Sequence, residues 1–128
     1  MNQGFSREKR LLNSSQFKVV FDSPDIRLSG RSVLLLAYFN QLEHPRLGLV
    51  IGKKSVKLAV ERNRIKRRIR ECFRIQQNLL PSVDVVMVAR KGLAELSNKE
   101  LHADLAKIYQ RLQKKALAKQ QELDSHSR

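Results

Sequence analysis

The residues from Lys53 to Arg74 read KKSVKLAVERNRIKRRIRECFR, and ten of these 22 are Lys or Arg against two Glu. That gives this stretch a net charge of +8, more than half of the +14 carried by the whole chain. Charge at this density opposes compaction unless an anion neutralises it. The spacing adds to the count. At about 100° per residue, Asn63, Arg67, Arg70 and Arg74 fall on one helical stripe, flanked by Lys66. Ile65, Ile69 and Cys72 fall on the opposite, apolar stripe. Six Arg and one Lys lie between Arg62 and Arg74. A guanidinium binds phosphate through two parallel N–H bonds, which an ammonium cannot do, so the bias toward Arg favours fixed phosphate geometry. Arg62 points toward the apolar side of a regular helix. Arg62-Asn63-Arg64 is therefore expected near the helix start, splayed around the turn from Lys53-Lys54, where free N–H groups also favour phosphate. Glu61 and Glu71 offset only two of the ten charges, which argues against a merely solvated face.

Groups that break bonds are scarce by comparison. Nuclease chemistry on a protein needs clustered carboxylates for metal ions, or a paired acid and base. The acidic residues here are scattered, and His44, His102 and His126 fall in a turn, a helix and a tail. No H-x-H, D-x-D or C-x-x-C spacing occurs, so no catalytic or metal-ligating residue is assigned. Cys72 lies on the apolar stripe and reads as a core thiol. Gly48, Gly52 and Gly92 do not form a phosphate loop. No cofactor is expected on the chain itself.

The basic helix needs a platform. Asn13 with Gln16 three residues on resembles a capping box, and Phe17, Val20 and Phe21 share one face of the short helix it opens. Asp22-Ser23-Pro24 ends that helix. The rings of Phe17 and Phe21 either stack on unpaired bases or pack the helix on the core. Arg31–Phe39 and Arg46–Gly52 read as strands, and the short connection between them suggests an antiparallel hairpin. Asp84–Ala89 reads as a third strand, and Ile26–Leu28 as a short edge strand. Leu58–Gln77 is helical between the second and third clear strands. Ser97-Asn98-Lys99-Glu100 has capping-box spacing and opens a last helix with Leu101, Leu105, Ile108 and Leu112 on one face, expected to fray after Ala118. The order α-β-β-β-α-β-α implies an α+β fold with helices packed on a small mixed central sheet.

At 128 residues, with 41% apolar and no internal repeat or Gly/Ser/Pro-rich linker, the chain fits one domain. Residues 1–118 form it, beginning with a basic N-terminal arm over residues 1–12; residues 119–128 read as a disordered polar tail. One cysteine excludes an internal disulfide scaffold. No apolar run reaches the roughly 20 residues of a membrane span, and no signal peptide is evident. A cytoplasmic protein with no membrane contact and a polyanionic partner is the expectation.

The stretch Lys53-Lys54, Ala59-Val60, Arg62-Asn63-Arg64, Lys66-Arg67 and Arg70-Glu71 resembles the signature of the bacterial ribonuclease P protein subunit. Phe17 and Phe21 match the family's pair of aromatics on its early helix. The strand ending Ala89-Arg90-Lys91 and the final amphipathic helix follow in the family's order, over roughly residues 7 to 117. The resemblance implies a left-handed β-α-β crossover and a place in the ribonucleoprotein that removes the 5′ leader from precursor tRNA. By the same resemblance the RNA subunit carries the chemistry with Mg²⁺, and the protein is a monomer within the holoenzyme. Arg62, Asn63, Arg64, Lys66, Arg67, Arg70 and the adjoining Arg74 would face the RNA subunit. Phe17, Phe21, Lys53 and Lys54 would border the leader cleft; Tyr38, beside Phe39, stands near a family aromatic and joins this set. Two competing readings are another basic RNA-binding protein, such as a ribosomal protein or RNA chaperone, and a helix-in-groove DNA-binding regulator. The R-N-R-x-K-R spacing weakens the first; the strands and the lack of a dimerisation element weaken the second.

Overall fold

In a computed structural model, the structure describes residues 12–126, and side chains through residue 122. The elements are α1 (Ser14–Asp22), β1 (Ile26–Ser29), β2 (Val33–Phe39), β3 (Arg46–Val50), α2 (Ala59–Gln76), β4 (Val83–Ala89) and α3 (Asn98–His126), with 3₁₀ turns at Gln77–Leu79 and Leu93–Glu95. This is the α-β-β-β-α-β-α order and the α+β class read from the sequence. The expected arm lies outside the described residues except for Leu12, which is buried and donates its N–H to Leu47 O at 3.2 Å.

The strands form one mixed sheet in the order β1-β2-β4-β3. β1 pairs antiparallel with β2, β2 antiparallel with β4, and β3 parallel with β4. The expected β2–β3 hairpin is therefore not formed, because β4 lies between the two strands. A buried carboxylate accounts for the arrangement. Asp84, 3% exposed at the start of β4, accepts from Arg46 Nε and Nη2, each at 2.8 Å, and from Asn40 Nδ2 at 2.8 Å. Both ends of the β2–β3 loop are thus fastened to the strand that the loop passes. The expected edge strand is present as β1.

Strand alternation gives the sheet two different faces. Val33, Leu35, Ala37, Leu47, Val83, Val85 and Met87 pack against α2 and α3 in the main core. α2 contributes Ile65, Ile69, Cys72 and Phe73. α3 contributes Leu101, Leu105, Ile108, Tyr109 and Leu112, with the Phe73 and Tyr109 rings 6.4 Å apart. The other face carries Leu34, Leu36, Tyr38, Val86 and Val88, with α1 laid across it through Val20.

Both expected capping boxes form. Asn13 Oδ1 accepts from Gln16 N and Gln16 Oε1 from Asn13 N; Ser97 Oγ accepts from Glu100 N and Glu100 Oε1 from Ser97 N. The last helix does not stop at Ala118 but continues to His126. The added residues include Lys, Gln, Glu and Leu, all good helix formers, so lack of apolar periodicity did not end it.

Candidate nucleic-acid interface

The outer face of α2 is a charged groove. A concavity of about 400 Å³ is walled by Asn63, Lys66, Arg67, Arg70, Glu71 and Arg74. The fold builds it simply: Ile65, Ile69 and Cys72 seat α2 on the sheet, and the helical repeat turns the other stripe to solvent. One acidic residue enters the groove. Glu71 Oε1 accepts from Arg74 Nη2 at 2.6 Å, and this bond holds the Glu71 carboxyl below the ordinary carboxylate range while raising Arg74. Among the described residues, Lys66, Arg67 and Arg70 have no carboxylate partner.

Arg62 and Arg64 are placed differently. Arg62 Nη1 donates to Val56 O and Lys57 O, both at 2.9 Å, closing the loop that leads into α2. Arg64 Nε and Nη2 donate to Glu61 Oε2 at 3.1 and 2.9 Å, and its Nη1 donates to Asn98 Oδ1 at 2.7 Å. Longer contacts of 3.4 Å reach Ala94 O and Leu96 O. The expected splaying of these two arginines at the helix start is not seen. α2 begins at Ala59, so both side chains sit within its first two turns and bind inward. The structure thus brings five of the seven expected residues together and uses the other two as braces.

The aromatic pair lies on the opposite face of the sheet. The Phe17 and Phe21 rings are stacked, 6.4 Å between centroids and 19° apart in plane. Phe17 is half-buried over Gly48, where an added Cβ would stand 2.6 Å from Phe17 Cζ. A glycine in a strand interior is the sequence signal for such close approach. Phe21 is 45% exposed. One ring therefore docks the helix and the other remains open. Tyr38 is on this face, half-buried beside the cluster of Leu12, Val20, Leu36 and Val86; Phe39 turns to the main core. Lys53 and Lys54 are exposed in the turn after β3, which Ser55 pins to β4 by donating from Oγ to Ala89 O at 3.2 Å.

Comparison with known proteins identifies the family and the fold. A family model described as Ribonuclease P matches residues 5–113. The chain belongs to the ribonuclease P protein family. The ribonuclease P protein component of Ectopseudomonas mendocina is 64% identical over 112 residues, spanning 88% of this chain and 84% of that protein. The one from Pseudomonas entomophila is 53% identical over 131 residues, spanning 99% and 98%. Among solved structures, the ribonuclease P protein from Thermotoga maritima superposes with a TM-score of 0.71 at 28% identity, covering 80% of this chain and 96% of that one. The protein from Staphylococcus aureus shares the fold, with a TM-score of 0.72 at 22% identity over 85% and 92%.

As a ribonuclease P protein component, the chain partners the RNA subunit of that enzyme. Some side-chain contacts around these elements carried no clear signal in the sequence. Arg90 continues the outward alternation of Val86 and Val88 past the end of β4 and donates from Nη2 to Ser29 Oγ at 3.0 Å. Asn98, the outer partner of Arg64, had no spacing that could reveal it. Cys72 is 7% exposed, and burial raises its thiol to about 11, so it stays protonated at neutral pH in this ribonuclease P protein. Among the described residues no helix is long and apolar enough to cross a membrane.

Proposed function

We propose that this chain binds the catalytic RNA of ribonuclease P along the outer face of α2 and holds the 5′ leader of precursor tRNA beside α1, in the cytoplasm, as a monomer within the holoenzyme. The observation that carries the reading is the groove walled by Asn63, Lys66, Arg67, Arg70 and Arg74, with one carboxylate against four cations. Docking two RNAs brings phosphates together, and each neutralised phosphate releases counterions, so a basic wedge strengthens both contacts. The exposed Phe21 ring, backed by Phe17, offers a surface on which any base can stack, at about 1–3 kcal/mol per base. Lys53 and Lys54 supply charge without fixed geometry. Tyr38 adds an aromatic to the same face. Removal of the leader is a hydrolysis for which this reading assigns no group on the protein: the RNA subunit, with its own Mg²⁺, breaks the bond.

The test is reconstitution with a bacterial ribonuclease P RNA at low Mg²⁺. The protein is expected to raise the rate of 5′ leader removal over RNA alone, and to bind leader-bearing precursor more tightly than mature tRNA. No gain over RNA alone would remove the reading and favour a general RNA chaperone, which would instead bind unrelated structured RNAs equally well.

A further inference from the structure

α3 carries a second concentration of charge, away from α2. Between Leu105 and Gln121 the sequence has five Lys or Arg and no Asp or Glu. Four of the five, Lys107, Arg111, Lys115 and Lys119, recur at every fourth residue, with Lys114 beside them. Residues four apart on a helix are neighbours, so each successive pair repels. All five side chains are exposed, and among the described residues none has a carboxylate within ion-pair distance. The acids of the first turns are engaged upstream: Glu100 caps α3 with Ser97, and Asp104 Oδ2 accepts from Ser32 Oγ. The helix dipole favours cations only in the last turn, and Lys119 stands before it, since α3 runs to His126.

Packing does not offset this repulsion. Among the described side chains of α3, Ala116 is the last that is buried, and Leu117 is 59% exposed. From Leu117 to His126 the helix continues for about 15 Å. Helices in proteins are held mainly by a packed apolar face, which the described part of this extension lacks. The stripe also faces a definite way. Arg111 Nη1 donates to Ser29 O on β1 at 3.0 Å, whereas Gln113 Nε2, about 200° round the helix, donates to Gln76 Oε1 on α2 at 3.1 Å. The cations therefore run along the side of α3 turned from α2, over about 18 Å from Lys107 to Lys119.

The chemistry of the surface selects its partner. Tyr109, the one Phe, Tyr or Trp in α3, is buried, so no ring is offered to an unpaired base. Four of the five cations are Lys, point charges without the fixed fork of arginine. Such a row suits the backbone of paired RNA, held without regard to sequence. α3 shares its sheet face with α2, whereas α1, the side read as holding the leader, lies on the other. We infer that the stripe is a second contact to the RNA subunit: Lys107, Arg111, Lys114, Lys115 and Lys119 lie along the phosphates of an RNA helix separate from the segment in the α2 groove. The inference rests on the reading of that groove given above.

The test is binding of the full chain to a bacterial ribonuclease P RNA across a salt series. In a variant carrying Lys114→Gln, Lys115→Gln and Lys119→Gln, the log–log slope should fall by about 2 and affinity at about 0.15 M salt by roughly tenfold. Lys114→Arg, Lys115→Arg and Lys119→Arg together should keep the wild-type slope. Lys18→Gln with Arg27→Gln and Lys99→Gln removes equal charge elsewhere and should change the slope little; an equal loss would assign the effect to net charge and overturn the stripe. Arg67→Gln with Arg70→Gln separates the two readings. If that variant lowers the slope and the α3 variant does not, the stripe falls and the groove stands. If only the α3 variant lowers it, the groove reading falls while the α3 contact holds. Hydroxyl-radical protection lost with the α3 variant should map to paired RNA distinct from the stretch lost with the α2 variant; loss of the same stretch would leave one site, not two. A deficit confined to precursor binding by the assembled holoenzyme would give the stripe to tRNA and end the proposal. Gln relieves the like-charge pairs and keeps helix propensity, so the free variant should melt no lower than wild type. A lower melt would show that the lysines serve α3 itself, against the inference.

Discussion

Arg64 and Arg67 carry the same side chain three residues apart, yet one turns inward as a brace and the other stands in the groove. Arg67 is exposed in the groove, whereas Arg64 places its donors on Glu61, Asn98 and two backbone oxygens. Their alanine variants should therefore separate. Arg67→Ala should leave thermal stability nearly unchanged and reduce the salt slope of RNA-subunit binding by about 0.7–0.9, the signature of one lost phosphate contact. Arg64→Ala should lower stability by about 1–3 kcal/mol in urea titration, since it removes hydrogen bonds to a charged, half-buried group. Its salt slope should match wild type. A reduced slope for Arg64→Ala would mean that this side chain turns outward when RNA binds. Cys72 offers a second check at this scale. With its thiol raised to about 11, it should resist alkylation in the native protein at pH 8 and react promptly in denaturant. Rapid native labelling would place the thiol at the surface instead.

The elements differ in how much of them the sequence made legible. The apolar stripe located α2, and apolar runs of strand length located β2 and β4, within a residue or two, because both report how a segment is buried: α2 on one face, the two strands on both. Neither could report partners. The β2–β3 hairpin was expected from a short connection, but pairing is decided by bonds distant in sequence, here those that bring Arg46 and Asn40 to Asp84. The groove stripe was legible for the same reason as the helix; the inward turn of Arg62 and Arg64 was not, because their partners lie in the preceding loop and at the start of α3. Asp84 should accordingly be the most sensitive single position in the sheet. Asp84→Ala would leave Arg46, whose side chain is 17% exposed, without its counter-charge and is expected to cost about 3–5 kcal/mol in urea unfolding. Replacing both partners with apolar residues, Asp84→Leu with Arg46→Met, should recover most of that loss. If the double variant is as unstable as the single one, the pair matters through the shape of the loop rather than through charge.

At the scale of the whole molecule, the net charge of +14 acts against the fold that the apolar faces create. The groove cations cannot relieve this internally, since Glu71 is the single carboxylate among them. Anions should relieve it from outside. Sulfate, which matches a guanidinium fork as phosphate does, should raise the melting temperature more than chloride at equal ionic strength. At ten times its dissociation constant, one bound sulfate adds about 1.4 kcal/mol. For a domain of this size that is a shift of roughly 3–8 °C. Sulfate also stabilises proteins generally by exclusion from their surface, so the shift alone does not identify the groove. A variant carrying Arg67→Gln and Arg70→Gln does. With two groove cations gone, it should melt higher than wild type in low-salt buffer and gain less from sulfate. An undiminished sulfate gain would assign the effect to exclusion, and an unraised low-salt melt would mean that repulsion along α2 is not a cost of folding. If both changes occur together, the surface built to receive RNA phosphate is also the surface that makes the free protein less stable, and RNA binding then stabilises the folded chain by the same linkage.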